Sequence, residues 1–320
     1  MEMPVDFRPL RYSTDDLPAR DRLAAWREFY GPRVNGADVR PAPDVPFLAD
    51  VTLRALPGFG LTTTRSSPAQ YARTRRFLAD GRDFFGMHLS FAGDRASQRG
   101  QEIACGPHLA VLMNVAEAGW IASPRAMRFW GLWFRRSDLA PLVPGLDDRV
   151  LQPISADTEP MRYLVGYVHF LEQQRALTDP AVARLAGVHL RDLFALALGA
   201  SRDAAVVAEG RGLRAARLQA IKRDVADNLG HGRLAVGMMA ARHRVSPRYV
   251  QRLFEREGTT FSEYVLNARL DRAFRMLADP AHARWTVSAI ALEVGFGDVS
   301  YFNRRFRRRY GLRPSDVRGR

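Results

Sequence analysis

The chain has 320 residues, 47% hydrophobic and 26% charged, a globular composition with enough apolar mass for two cores. Its formal net charge of +14 is uneven: from Arg211 onward there are 23 Arg and Lys against 10 Asp and Glu, and before it 25 against 24, so a nucleic-acid surface is expected only in the last third. The single cysteine, Cys105, excludes an internal disulfide and a thiolate metal cluster, and the absence of a long apolar run or a signal-type N-terminus makes the cytoplasm the expected location, with no membrane partner.

Residues 15–30 carry Leu17, Leu23, Trp26 and Phe29 at helical spacing, with Pro18 in the first turn, and Gly31-Pro32 ends the predicted helix. Residues 45–135 change to short β-type segments, FLADVTLRAL, GLTTT, FFGMHLSF, HLAVLM and MRFWGLWF, separated by Gly, Pro, Asp and Ser, as in a sandwich or barrel. Residues 161–177 and 181–200 predict two helices joined tightly, a helical hairpin within 160–200. The small residues, charge shift and two glycines of 201–212 read as a linker, dividing a domain 1–200 from a domain 213–320. Beyond it every segment is helical: 213–229, 236–242, 246–257, 262–278, 287–294 and 298–310.

Within that last domain one unit occurs twice, VGMMAARHRVSPRYVQRLFER at 236–256 and VSAIALEVGFGDVSYFNRRFRR at 287–308, each a short helix, a turn and a longer helix. Superposing them pairs Met238 with Ile290 on the first helix and Val250 with Phe302 and Phe254 with Phe306 on the second, the one extra residue falling at Gly297. Ser246 and Asp298 stand where N-caps are needed, and Tyr249, Leu253, Phe254, Phe302 and Phe306 read as core. The remaining face of each second helix is polar and basic, suited to entering a major groove by its N-terminus. One such pair occurs in many helical domains. Two copies on a basic domain, at 236–257 and 287–310, fit recognition helices in successive major grooves.

The motifs SPRYVQRLFEREG (246–258), FSEYVLNARL (261–270), IALEVGFGDVSYFNRRF (290–306) and the closing GLRPSDVR (311–318) resemble the DNA-binding domain of the AraC/XylS family of transcription regulators. The resemblance implies base or backbone contacts from Arg248, Gln251 and Arg252 of the first recognition helix and from Val299, Ser300, Asn303 and Arg304 of the second. Arginine pairs bidentately with guanine and Gln or Asn with adenine, whereas Val299 offers only apolar contact. Arg305, Arg307, Arg308 and Arg309 form a basic run read either as a solvated helix end or as phosphate contacts, with Arg307 and Arg308 the candidates. The family usually has Gly in the first turn, where this chain has Arg244; the second turn keeps Gly295. A non-glycine residue is strained there if its φ is positive.

Helix, strands, two helices and linker, with Asp21, Arg22 and Trp26 near the start, also resemble the family's regulatory half. The implied architecture is a cupin-like β-barrel or jelly roll with a helical hairpin, followed by an all-α domain with two helix-turn-helix motifs. The implied partners are promoter DNA, a small organic effector, RNA polymerase and a second copy of the chain, at the nucleoid, with activation the commoner outcome. The hairpin is read equally as a dimer interface or as a cover for the barrel. An effector pocket is expected among Phe85, Met87, Leu89, Trp130 and Trp133, with a polar anchor from Arg73, His88 or His108. No cofactor, metal or catalytic residue is expected: clustered His and carboxylate ligands, a nucleophile elbow, a Walker loop and a dinucleotide fingerprint are all missing from the sequence. Two other readings are a non-specific architectural DNA binder and a metal-dependent cupin-type enzyme fused to a DNA-binding domain.

Overall fold

A computed structural model describes residues 8–173, 177, 179–232 and 234–318. They divide into two units between Ala216 and Arg217. In chain order the strands of the first unit are β1 (Leu10–Ser13), β2 (Asp38–Pro41), β3 (Ala49–Leu56), β4 (Phe59–Ser66), β5 (Ala69–Arg73) and β6 (Phe84–Ser90). They continue with β7 (Asp94–Gln98), β8 (Gln101–Cys105), β9 (Leu109–Asn114), β10 (Gly119–Ser123), β11 (Met127–Arg135) and β12 (Pro153–Ser155). A seven-stranded sheet runs β1-β3-β4-β11-β6-β9-β12, and a five-stranded sheet runs β2-β5-β10-β7-β8. The paired neighbours are antiparallel.

The larger sheet is covered on both faces, which is why β6 and β11 read as nearly unbroken apolar runs. One face meets α4 (Glu159–Gln173) and α5 (Pro180–Ala197), whose Phe194 and His169 pack against Phe134 and Trp130 at ring separations of 5.0 and 4.7 Å. The other face meets the smaller sheet and α1 (Ala19–Tyr30), where Trp26, Phe29 and Tyr30 pack with Val39, Tyr71, Met127 and Phe129. Cys105 is buried, and desolvation pushes its thiol up to about 12, an inert state.

The structure extends the β-region from Leu10 to Ser155, beyond the expected 45–135. Pro18 is the N-cap of α1 and lies outside its first turn. The short helices α2 (Arg75–Leu78) and α3 (Arg136–Leu139) fill loops. The helix expected over 161–177 is seen to Gln173; residues 174–176 lie outside the described residues. The stretch 201–212, expected as a linker, is helical, forming α6 (Arg202–Ala208) and a π-type turn. It packs into the first unit: Arg211 bonds the buried Asp192 at 3.1 Å, and a Cβ on Gly212 would sit 2.9 Å from the His189 carbonyl.

The second unit follows within α7 (Arg214–Asp227) and continues through α8 (Val236–Arg242), α9 (Pro247–Glu255), α10 (Phe261–Ala278), α11 (Val287–Glu293), α12 (Val299–Tyr310) and α13 (Pro314–Val317). It has two small cores bridged by α10. Phe261 and Val265 join Ile221, Val225, Met239, Val250 and Phe254 in the first. Leu270, Ala273 and Leu277 join Ile290, Val294, Phe302 and Phe306 in the second. Among the described residues no helix is long and apolar enough to cross a membrane.

Candidate DNA interface and effector cavity

The first helices of the two pairs and the turns that leave them are built by the same hydrogen bonds at one register, which lengthens by one residue before the caps of the second helices. After α8, Val245 N–H donates to the Ala240 carbonyl at 2.9 Å; after α11, Phe296 N–H donates to the Ala291 carbonyl at 2.9 Å. The residues between them, Arg244 (φ 52°) and Gly295 (φ 96°), are both left-handed, the helix-ending geometry that glycine adopts without strain. Arg244 therefore carries the strain its position implied. The equivalence also corrects the expected match on the first helix. Met239, not Met238, corresponds to Ile290 and is fully buried, while Met238 is exposed. The extra residue of the second turn is Gly297, as expected, because Ser246 and Asp298 both cap the helices that follow. The Ser246 hydroxyl accepts from Tyr249 N–H at 3.2 Å, and the Asp298 carboxylate accepts from Ser300 and Tyr301 N–H at 2.7 and 3.0 Å. Those bonds hold the Asp298 carboxyl below its ordinary range.

Capping aims each longer helix, and its buried stripe fixes which face is left. On α9, Val250, Leu253 and Phe254 are buried, leaving Arg248, Gln251 and Arg252 exposed together on the opposite side. On α12, Phe302 and Phe306 are buried, and Ser300, Asn303, Arg304, Arg307 and Arg308 are exposed at spacings of three and four. Val299 is half-buried and packs against the second core, which reduces what it can offer to a base. Arg309 is committed elsewhere: with Tyr310 it bonds Asp271 of α10, at 2.9 and 2.6 Å, tying the two helices. Arg305 lies over the exposed Tyr301 ring, a surface aromatic not singled out from the sequence.

In the first unit, β-sheet alternation separates the expected pocket residues. Phe85, Met87 and Trp130 belong to the core beneath α4 and α5. His108 is exposed in a turn with φ of 63°. Trp133 and His88 face the space between the sheets, where a small cavity of about 60 Å³ is also lined by Tyr71, Gln98 and Phe129 and bordered by Met87. His88 Nε2 lies 2.8 Å from Asp94 Oδ2, both side chains buried. Burial raises the Tyr30 and Tyr71 hydroxyls well above the ordinary phenol range, so both stay protonated. Arg73 borders this cavity but is spent on structure, donating to the carbonyls of Val115, Gly36 and Phe77 and to Asp80 at 2.7 Å.

Trp133 also bounds a second, larger cavity of about 460 Å³ with Leu53, Leu56, Phe59, Phe84, Val115 and Arg135 on its walls. The indole lies across three glycines of adjacent strands. A Cβ on Gly60, Gly86 or Gly131 would sit 3.1, 2.7 or 2.6 Å from its ring atoms. Such strand-interior glycines mark close approach, a signal legible in FFGMH and FWGLWF that the sequence reading did not use. Among the described residues no three His, Cys, Asp or Glu side chains gather as metal ligands.

Comparison with known proteins matches a helix-turn-helix domain over residues 239–320 and an AraC-binding-like domain over residues 26–199. The chain is 30% identical over 322 residues to the transcriptional activator RhrA of Rhizobium meliloti (strain 1021), covering 97% of each protein. It is 28% identical over 164 residues to the XylDLEGF operon transcriptional activator of Pseudomonas putida, covering 49% of each. The crystal structure of the AraC-like transcriptional activator CuxR superposes with a TM-score of 0.50 at 19% identity, over 82% of this chain and 95% of that one, a likeness of fold.

Proposed function

The chain belongs to the AraC/XylS family of transcriptional regulators, and from that premise we propose that it is a sequence-specific activator, not an enzyme, that acts on promoter DNA in response to a small organic effector. The observation that carries the reading is the duplicated helix-turn-helix. Two capped helices, α9 and α12, leave turns with the same hydrogen bonds and present exposed basic and amide side chains opposite a buried stripe. Arg248, Gln251 and Arg252, and Ser300, Asn303 and Arg304, are assigned to base edges and the adjoining backbone. Arg307 and Arg308 are assigned to phosphates, where they position without specifying. Val299, packed against the core, is assigned at most a peripheral apolar contact.

The first unit is assigned to effector binding and to pairing with a second copy. Val182 and Leu185, one helical turn apart on α5, are exposed at 47% and 53%, which favours α5 of the hairpin as a docking face. RNA polymerase is the expected further partner, and the cytoplasmic nucleoid the expected place of action.

In vitro selection of the full-length protein on a random duplex library at about 0.15 M salt tests the central assignment. Two short conserved blocks separated by about one helical turn of DNA are expected. Equal retention of unrelated duplexes would replace this reading with the non-specific architectural one.

A further inference from the structure

We infer that the effector is an organic anion with a flat apolar body, held in the larger cavity with its body on Trp133 and its acidic group at Arg135. The inference rests on the reading of the first unit as the effector-binding half and adds the chemistry of the ligand. It begins with volume. The cavity between the sheets has room for little more than a water or two, whereas the outer one, about 460 Å³, is the size of a small-molecule site; a groove of equal volume on the smaller sheet, beside Trp120, lacks its large aliphatic and phenyl walls.

Its walls have two characters. Leu53, Leu56, Phe59, Phe84 and Val115 are apolar, and Trp133 presents a broad surface because its indole rests on Gly60, Gly86 and Gly131. Any side chain at those three positions would lift the indole, so the sequence keeps one ring flat against the sheet between the two cavities. A planar partner gains most from such a platform.

The charged groups on the same walls are Arg33, Asp80, Arg82 and Arg135. Arg82 is satisfied, bonding the Val34 carbonyl at 3.1 Å, the Pro32 carbonyl and Asp80 at 3.2 Å, and Asp80 also receives Arg73. Arg33 lies over the Phe29 ring. Arg135 follows Trp133 by two residues on β11 and so projects from the same face of the sheet. Among the described residues no carboxylate pairs with it. A fork-shaped cation beside an apolar, indole-floored cavity recognises a carboxylate on an aromatic or similarly flat frame.

The test is calorimetric titration of the full-length protein with benzoate, 2-naphthoate and the neutral 2-naphthamide, repeated on Arg135→Gln and Arg135→Lys. Arg135 is exposed at a strand end, so both variants are expected to fold. Saturable binding of 2-naphthoate is expected, with the amide at least about tenfold weaker, the loss of one charge-assisted hydrogen bond. Arg135→Gln should abolish that preference and Arg135→Lys retain most of it. Equal binding of acid and amide, a preference unchanged in Arg135→Gln, or no saturable binding of either carboxylate overturns the inference. Sequence enrichment by the same preparation in the DNA selection leaves the regulator assignment standing in each of those cases, and loss of enrichment removes that assignment separately.

Discussion

Gly295→Ala and Arg244→Gly should change stability in opposite directions although they alter equivalent positions. At Gly295 the φ of 96° disfavours any side chain by about 1–2 kcal/mol. Space adds to this, because a Cβ there would sit 2.3 Å from the Leu229 carbonyl oxygen and 2.8 Å from the Arg269 guanidinium. That guanidinium donates to the same carbonyl at 3.1 Å and to the His231 carbonyl at 2.7 Å, so relieving the clash breaks charge-assisted hydrogen bonds of about 1.5–3 kcal/mol. The expected loss for Gly295→Ala is about 3–4 kcal/mol. Arg244 is exposed, so Arg244→Gly relieves the left-handed strain and removes no buried contact. After the extra backbone entropy of glycine, a gain of about 0.5–1 kcal/mol remains. For a domain of this size each kcal/mol moves the midpoint by about 4–8 °C. Scanning calorimetry of the full chain, following the transition of the helical unit, should therefore show a modest rise for one variant and a large fall for the other. A fall for Arg244→Gly, or no change for Gly295→Ala, would refute the equivalence of the two turns.

Arg304→Ala should relax base preference at one position of a selected site, whereas Arg307→Ala should weaken all duplexes alike and reduce the salt slope by about one unit; uniform loss from both would contradict their different roles. In the first unit, Arg99 holds Glu117 and Arg136 holds Asp147, and these bonds keep both carboxyls below their ordinary range. A depressed carboxyl stabilises the fold above its unfolded value and loses that contribution as pH falls through the folded one. The first unit should therefore weaken as pH drops below about 4, and Glu117→Gln with Asp147→Asn should flatten that dependence in urea titrations. Gly131→Ala should displace the Trp133 indole, visible as a changed tryptophan emission that is lost when Trp133→Phe is added; an unchanged spectrum would remove the glycine seat from the account.

The helical unit was legible because duplication supplies its own control. A turn that places Arg244 where the second copy has Gly295 can be matched even though one of them is unfavourable, and caps such as Ser246 and Asp298 mark where each recognition helix begins. The extra residue at Gly297 gives the first helices a register one residue shorter than the second, and at that register Ile290 stands opposite Met239, with Met238 opposite Ala289. In the first unit the five segments read as strands became β3, β4, β6, β9 and β11, contiguous in one sheet, while all of β2, β5, β7, β8 and β10 went unseen. The reason is burial. The larger sheet is covered twice and spells FFGMHLS and MRFWGLWFR, whereas the smaller one is covered once and spells DRASQ and QEIAC, which compositionally resemble loops.

The same double coverage explains why the cavity was the least legible feature. Alternation assigns faces only when one face is polar, and along β6 Phe85, His88 and Leu89 are all buried, so their pattern does not distinguish the helix side from the cavity side. Chemistry of the side chain was no better guide. Arg73 has the right character for an anion anchor, yet four partners hold it in the loops around Gly36 and Asp80, and Arg135, exposed at a strand end, resembled an ordinary surface residue. What distinguishes the outer cavity in sequence is an absence of side chains. Gly60, Gly86 and Gly131 come together only through the register that sets Trp133 opposite Gly60 on one neighbour and opposite Gly86 on the other, and that register is a property of pairing, not of any one segment.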